Sequence, residues 1–134
     1  MFWFSKYKHN LPKYPPEIAK IFKKLCQTLD DKGIEELRIA VESLDDEINS
    51  KREDSQLDCR SLLKLKDCCL VLLDRYKEFT PDKQALIVGA VRYVAVADDP
   101  LDDEIFASGL WDDKMVVNYV IERIGINIPY LPVD

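Results

Sequence analysis

Apolar side chains recur three or four residues apart in several segments of this chain, and that spacing constrains the fold more than any other feature. The clearest run comprises Ile34, Leu37, Val41, Leu44 and Ile48. Residues at such steps lie on one face of an α-helix. Only four glycines occur in the 134 residues, which disfavours the many tight turns of an all-β protein. The sequence therefore predicts an all-α fold, a single-domain bundle of about five helices over residues 1–134.

Helix-start and helix-stop residues mark the predicted boundaries in the first half of the chain. We predict that the first helix begins at Pro16 or Glu17, because proline suits the first turn and an acid suits the positive end of the helix dipole. The run 30–33, Asp-Asp-Lys-Gly, is predicted to end it. Ser55 and Asp58 resemble a weak capping box for a third helix. The apolar stripe of that third helix comprises Leu62, Leu65, Cys69, Leu72, Tyr76 and Phe79.

The second half of the chain predicts a helical hairpin. Thr80-Pro81-Asp82 is a strong helix start, since it combines a capping hydroxyl, a first-turn proline and an acid. The apolar run 85–91 follows, and a strand is the alternative for so short and branched a run. A further helix is predicted to end at Gly125, and the tail beyond it to be extended. We expect the two helices, within residues 81–125, to form the central pair of the bundle.

The charge of the chain makes nucleic-acid binding improbable. Its formal net charge is −6 at pH 7 and its pI is about 4.9, whereas binding to phosphates needs a concentrated basic surface. Residues 1–24 carry six lysines against one glutamate, and residues 95–134 carry nine acids against two basic residues. These ends are two oppositely charged solvated faces, or they attract each other in the fold. The alternative is a dipolar molecule whose acidic end meets a basic partner.

The cysteines and the apolar runs predict a cytoplasmic protein. The four cysteines form no Cys-x-x-Cys pair, and we expect them to be reduced thiols, three or four of which act as small buried apolar groups. No secretory signal is visible. No uncharged apolar run approaches the roughly 20 residues of a membrane-spanning helix.

The first fifteen residues form an arm that is both aromatic and basic. Its prolines prevent a continuous helix, yet Phe2, Trp3 and Phe4 are too apolar for a free tail. We expect the arm to pack on the body of the protein. The alternatives are an exposed anchor for another chain and a peripheral attachment to a membrane surface.

The stretch 97–113 holds seven acids among its seventeen residues. The leading interpretation is that they start helices, with Asp99 and Asp102 near one start and the pair Asp112 and Asp113 opening the last helix. Two alternatives remain open. A partner's basic patch could dock on them, or Asp99, Asp103, Asp112 and Asp113 could supply oxygen ligands to Mg²⁺ or Ca²⁺.

This region resembles the YkvA-like domain, a short bacterial family of unknown function. The resemblance covers residues 86–124, under a third of the chain. It rests on Tyr93, Asp99, Asp103, Gly109, Asp112 and Asp113, while Ala97, Asp102 and Phe106 stand at the family's prolines. The resemblance implies a helical hairpin with a tyrosine near the end of its first helix and two aspartates at the start of its second. It implies no enzymatic activity.

The sequence favours a non-enzymatic protein that binds another protein. Common catalytic and nucleotide-binding motifs are missing, and His9 is the only histidine. An adaptor, an inhibitor or an immunity-type antagonist suits a chain this small and acidic. The predicted contact residues are Asp102, Asp103, Trp111, Asp112 and Asp113 on the hairpin, with Phe2, Trp3 and Phe4 on the arm. No cofactor is expected unless the carboxylates hold Mg²⁺ or Ca²⁺.

Overall fold

The computed structural model describes residues 7–11, 16–46, 59–95 and 110–132 of the chain. These residues form five α-helices and one 3-10 turn, and they contain no β-strand. The helices are α1 (Glu17–Leu25), α2 (Asp31–Glu42), α3 (Cys59–Asp74), α4 (Pro81–Ala95) and α5 (Trp111–Ile124), and the 3-10 turn is Tyr76–Glu78. Residues 44–46 are also helical. The predicted all-α bundle is confirmed.

The predicted starts of α1 and α4 and the predicted end of α5 are confirmed. Pro16 precedes the first residue of α1, and α4 begins at Pro81. The carbonyl of Thr80 accepts the backbone N–H of Gln84 at 2.8 Å, which closes the first turn of α4. Gly125 ends α5 with a left-handed φ of 75°, a conformation that glycine adopts without steric cost.

The predicted role of the run 30–33 is wrong, because these residues begin α2 instead of ending α1. Helix α1 ends at Leu25, and Asp30 adopts an extended conformation as the N-cap of α2. Its Oδ1 accepts the backbone N–H of Gly33 at 2.8 Å, the usual bond of an aspartate cap. Leu29 therefore lies in the linker between the two helices.

The third helix is shorter at its end than its apolar stripe predicts. Helix α3 ends at Asp74, and Tyr76 lies in the 3-10 turn. The Tyr76 hydroxyl accepts the backbone N–H of Leu29 at 2.9 Å and donates to the Leu29 carbonyl at 3.2 Å. The turn thus fixes the α1–α2 linker. The predicted capping box at Ser55 and Asp58 lies outside the described residues.

Helix α4 is the centre of the bundle. It packs against each of the other four helices, most extensively against α5 and α1. Four residues of its apolar run, Ile87, Val88, Ala90 and Val91, are fully buried. The run that could have been a strand is therefore a core helix, and α4 and α5 pack against each other more extensively than any other pair of helices.

Gly89 allows α1 to approach α4 closely. A Cβ atom at this position would overlap the Sγ of Cys26 and lie 3.0 Å from Cε1 of Phe22. The thiol of Cys26 donates to the Phe22 carbonyl at 3.3 Å, which holds the sulfur against the helix. The close contact between α1 and α4 thus depends on glycine, which has no side chain, at position 89.

Candidate functional site

The two acids at the start of α5 are part of the protein interior. Asp112 is 2% exposed and Asp113 is 6% exposed. The hydroxyl of Tyr93, near the end of α4, donates to Oδ2 of Asp112 at 2.8 Å. The prediction that this pair opens the last helix is confirmed. Burial removes both carboxylates from the surface, and a contact of Asp112 and Asp113 with a partner stays a prediction.

The other predicted site residues of the hairpin are either packed on the core or outside the described residues. Trp111 is half-buried and packs against the hydrophobic core. Asp99, Asp102 and Asp103 lie outside the described residues. Within the described ranges, no group of three or more histidine, cysteine, aspartate or glutamate side chains could hold a metal ion. The four-carboxylate Mg²⁺ or Ca²⁺ site stays a prediction that depends on Asp99 and Asp103, and its other two members are buried.

The thiols whose surroundings are described are poor nucleophiles. Cys26, Cys68 and Cys69 are free, and the last two are buried. Desolvation raises the pKa of Cys26 to about 11 and, with the charge of Asp67, also that of Cys68 to about 11. The pKa of Cys69 is raised by desolvation and by the charges of Cys68 and Asp113. Since the thiolate is the reactive form, these thiols are unreactive at neutral pH. Cys68 and Cys69 are buried, as predicted, whereas Cys26 is half-buried.

The arm packs on the body over residues 7–11, which confirms that part of the prediction. The Glu122 carboxylate in the last turn of α5 accepts two consecutive backbone N–H groups. The donors are Lys8, at 2.7 Å from Oε2, and His9, at 2.6 Å from Oε1. Successive main-chain N–H groups form a good concavity for an anion, and a charged acceptor strengthens each bond. Phe2, Trp3 and Phe4 lie outside the described residues.

Arg123 also binds the arm. Its guanidinium donates to the His9 carbonyl at 3.3 Å and to Oδ1 of Asn10 at 3.0 Å. The guanidinium carbon lies 3.5 Å from the ring centroid of Tyr7 and 4.5 Å from that of Tyr119, so two aromatic rings contact one cation. We call Tyr119, Glu122 and Arg123 the clasp.

The clasp perturbs the acidity of its own carboxylate. Desolvation opposes the change, but the N–H groups of Lys8 and His9, the charge of His9 and the charge of Arg123 together lower the pKa of Glu122. The Glu122 side chain is only 12% exposed, and the Arg123 guanidinium lies 3.6 Å from it. Docking of the arm therefore favours the ionised form of Glu122.

The C-terminal tail is anchored beside the clasp. The fully buried Asn118 donates from Nδ2 to the Leu131 carbonyl at 2.9 Å, and its Oδ1 accepts the Leu131 N–H at 2.7 Å. A carboxamide supplies one donor and one acceptor, so it pairs with both main-chain groups of a single residue. Ile126 and Leu131 are buried against the core. The tail after Gly125 thus lies on the body of the protein.

A groove of about 400 Å³ lies between α3 and the anchored tail. Lys64, Asp67, Cys68 and Val71 line one side, and residues 128–132 line the other. Tyr130 is 43% exposed at this groove. Its ring centroid lies 4.1 Å from that of His9, so the groove and the docked arm meet at Tyr130.

Sequence reasoning did not identify Asn118, Glu122, Arg123 or Tyr130. Adjacent residues of opposite charge, such as Glu122 and Arg123, are common in the last turn of a helix. From the local sequence alone, each is predicted to be a solvated surface residue. The one available signal was the pairing of a basic aromatic arm with an acidic C-terminal half. That signal indicates that the two ends attract each other, without naming the residues that meet.

No protein-family model matches the chain, and the searches of curated proteins and of solved structures return no match. The resemblance to the YkvA-like domain stays a prediction. No helix among the described residues is both long enough and apolar enough to cross a membrane.

Proposed function

We propose that this chain is a non-enzymatic protein-binding protein, and that the groove between α3 and the C-terminal tail is its contact surface. Adaptor, inhibitor and immunity-type antagonist are the roles that suit it. The exposed Tyr130 at an apolar groove is the observation that carries the proposal. Tyrosine is enriched at protein interfaces because its ring supplies a large contact area with few rotatable bonds.

The lining of the groove indicates the chemistry of the partner. Val71, Ile128 and Pro129 supply apolar surface, while Lys64 and Asp67 carry opposite charges. Because these charges oppose each other, the groove itself favours an apolar side chain of the partner over a strongly charged one. A basic patch of the partner would instead meet the acids at 102 and 103, which lie beyond the described residues.

The buried thiols and the acidic charge fit the rest of the proposal. The raised pKa values of Cys26 and Cys68 favour the protonated thiols at neutral pH, which supports a non-enzymatic protein. Reduced thiols are typical of a cytoplasmic protein, the compartment we propose. The net charge of −6 supports a partner that is a protein and not a nucleic acid.

Photo-crosslinking tests the contact surface. A photoreactive phenylalanine analogue is placed at Tyr130 in one full-length variant and at Ile39 in a matched control. Ile39 is an exposed apolar residue on α2 that does not line the groove. We expect one adduct in native lysate from position 130 and none from position 39.

Competition decides whether that adduct is specific. Unlabelled wild-type chain should abolish the adduct, whereas unlabelled Tyr130→Ala chain should not. Equal competition by both proteins, or the same adduct from position 39, would refute the groove as the contact surface. An Asp102→Asn/Asp103→Asn competitor tests the acidic hairpin, and this pair leaves the buried Asp112 and Asp113 intact.

A further inference from the structure

The part of the arm held by the clasp does not belong to the buried core. Tyr7 and His9 are half-buried, and Lys8 and Asn10 are exposed. The clasp itself is built on α5, and its Glu122–Arg123 pair and its Tyr119–Arg123 contact do not involve the arm. The clasp can therefore keep its geometry when the arm leaves.

Most of the recognition in the clasp is directed at main-chain groups. Glu122 binds two N–H groups and Arg123 binds one carbonyl. Many segments without proline at those positions could supply the same groups. The side-chain requirements are fewer: a ring over Arg123, as Tyr7 provides, a ring against Tyr130, as His9 provides, and a carboxamide, as Asn10 provides.

We propose that the clasp is a peptide-binding site, and that residues 7–10 occupy it as an intramolecular ligand that a segment of the partner protein displaces. The partner segment has an aromatic residue, any residue other than proline, a second ring and a carboxamide in consecutive positions. This inference rests on the proposed function and deepens it, since the clasp and the groove share the exposed ring of Tyr130.

A tethered ligand competes with a free one at the effective concentration of the tether, which is millimolar for short flexible links. Releasing the arm should therefore strengthen the binding of a free peptide to the clasp. Lys8→Pro releases it, because proline lacks the N–H that Glu122 accepts. Lys8→Ala is the matched control, since alanine keeps that N–H and removes only the side chain.

The experiment uses the full-length chain and the capped pentapeptide of residues 7–11, Tyr-Lys-His-Asn-Leu, followed by amide chemical shifts of Glu122 and Arg123. We expect the peptide to bind Lys8→Pro about tenfold more tightly than it binds the wild type or Lys8→Ala. A peptide with proline at its second position should not bind. Adding Glu122→Gln to Lys8→Pro should weaken binding about tenfold, because each N–H then meets a neutral acceptor or none.

Three results would overturn the proposal. The first is an equal affinity of the peptide for Lys8→Pro and Lys8→Ala. The second is no change in the amide chemical shift of Glu122 or Arg123 at millimolar peptide. The third is binding of the proline-containing peptide as tight as that of the unmodified peptide. A concentration-dependent dimer of the wild type that Glu122→Gln abolishes would assign the clasp to the arm of a second copy instead. Loss of peptide binding leaves the crosslink from Tyr130 as a separate test of the groove, so the two proposals can fail independently.

Discussion

Removing the hydroxyl of Tyr93 should measure how strongly the core depends on its buried carboxylate. Tyr93→Phe keeps the ring and deletes only the donor that reaches Asp112 at 2.8 Å. Both side chains are buried, with Tyr93 3% and Asp112 2% exposed. Water therefore cannot replace the lost hydroxyl without a rearrangement. A hydrogen bond to a charged group contributes about 1.5–3 kcal/mol, and we expect a loss of about 2 kcal/mol in the free energy of unfolding.

Urea unfolding followed by far-ultraviolet circular dichroism gives that free energy, provided that the transition is two-state. Tyr130→Phe is the matched control, because the same hydroxyl is removed from a residue that is 43% exposed. The control should stay within about 0.5 kcal/mol of the wild type. In an Asp112→Asn background the acceptor is neutral, so Tyr93→Phe should cost about 1 kcal/mol less than it does in the wild type. A Tyr93→Phe protein as stable as the Tyr130→Phe control would refute a structural role for the bond.

Three further predictions follow from the packing and the clasp. Gly89→Ala should destabilise by about 1–2 kcal/mol in urea unfolding, because overpacking against Cys26 outweighs a helix-propensity gain of about 1 kcal/mol; a variant more stable than the wild type would contradict this, and Cys26→Ala should relieve the cost. Asn118→Ala should destabilise by about 2–3 kcal/mol and remove the hydrogen-exchange protection of the Leu131 amide, since both main-chain groups of Leu131 lose their partner; a protected amide would contradict it. The lowered pKa of Glu122 means that its contribution to arm docking is complete above its ordinary pKa of 4.5 and is lost as the pH falls through the lower folded value; the amide shifts of the arm should titrate in that acidic window in the wild type and not in Glu122→Gln.

The elements of this fold that could be predicted are those set by local physics. The start of α1 at Glu17, the start of α4 at Pro81 and the end of α5 before Gly125 each follow from the cap chemistry of a few neighbouring residues. The run 30–33 was predicted wrongly because Asp-Asp-Lys-Gly can end one helix or cap the next. A distant contact accompanies the observed choice: Tyr76 bonds both main-chain groups of Leu29 and holds the linker outside a helix.

The candidate site could be predicted far less well, because its residues meet across the chain. The sequence around Asp112 predicts a surface acid at a helix start, whereas in the fold Asp112 is buried and accepts the hydroxyl of Tyr93, nineteen residues earlier. The bonds from Lys8 and His9 to Glu122 span more than a hundred residues. The burial of a carboxyl group and the docking of the arm depend on tertiary packing. Hydrophobic periodicity and helix-capping residues predict only local structure.

Where the arm docks on α5, the contacts between the basic and the acidic end of the chain are made mainly with main-chain groups of the arm. The N-terminal end is rich in lysine, yet Glu122 accepts backbone N–H groups of Lys8 and His9, and Arg123 of the acidic end contacts the arm as a cation. Long-range attraction between the ends can bring the arm near α5, but the bonds that hold it need no lysine side chain. The affinity of the clasp is therefore separable from the net charge of its ligand. A partner segment can be basic, neutral or acidic and still compete with the arm, provided that it presents two consecutive N–H groups, the two rings and the carboxamide.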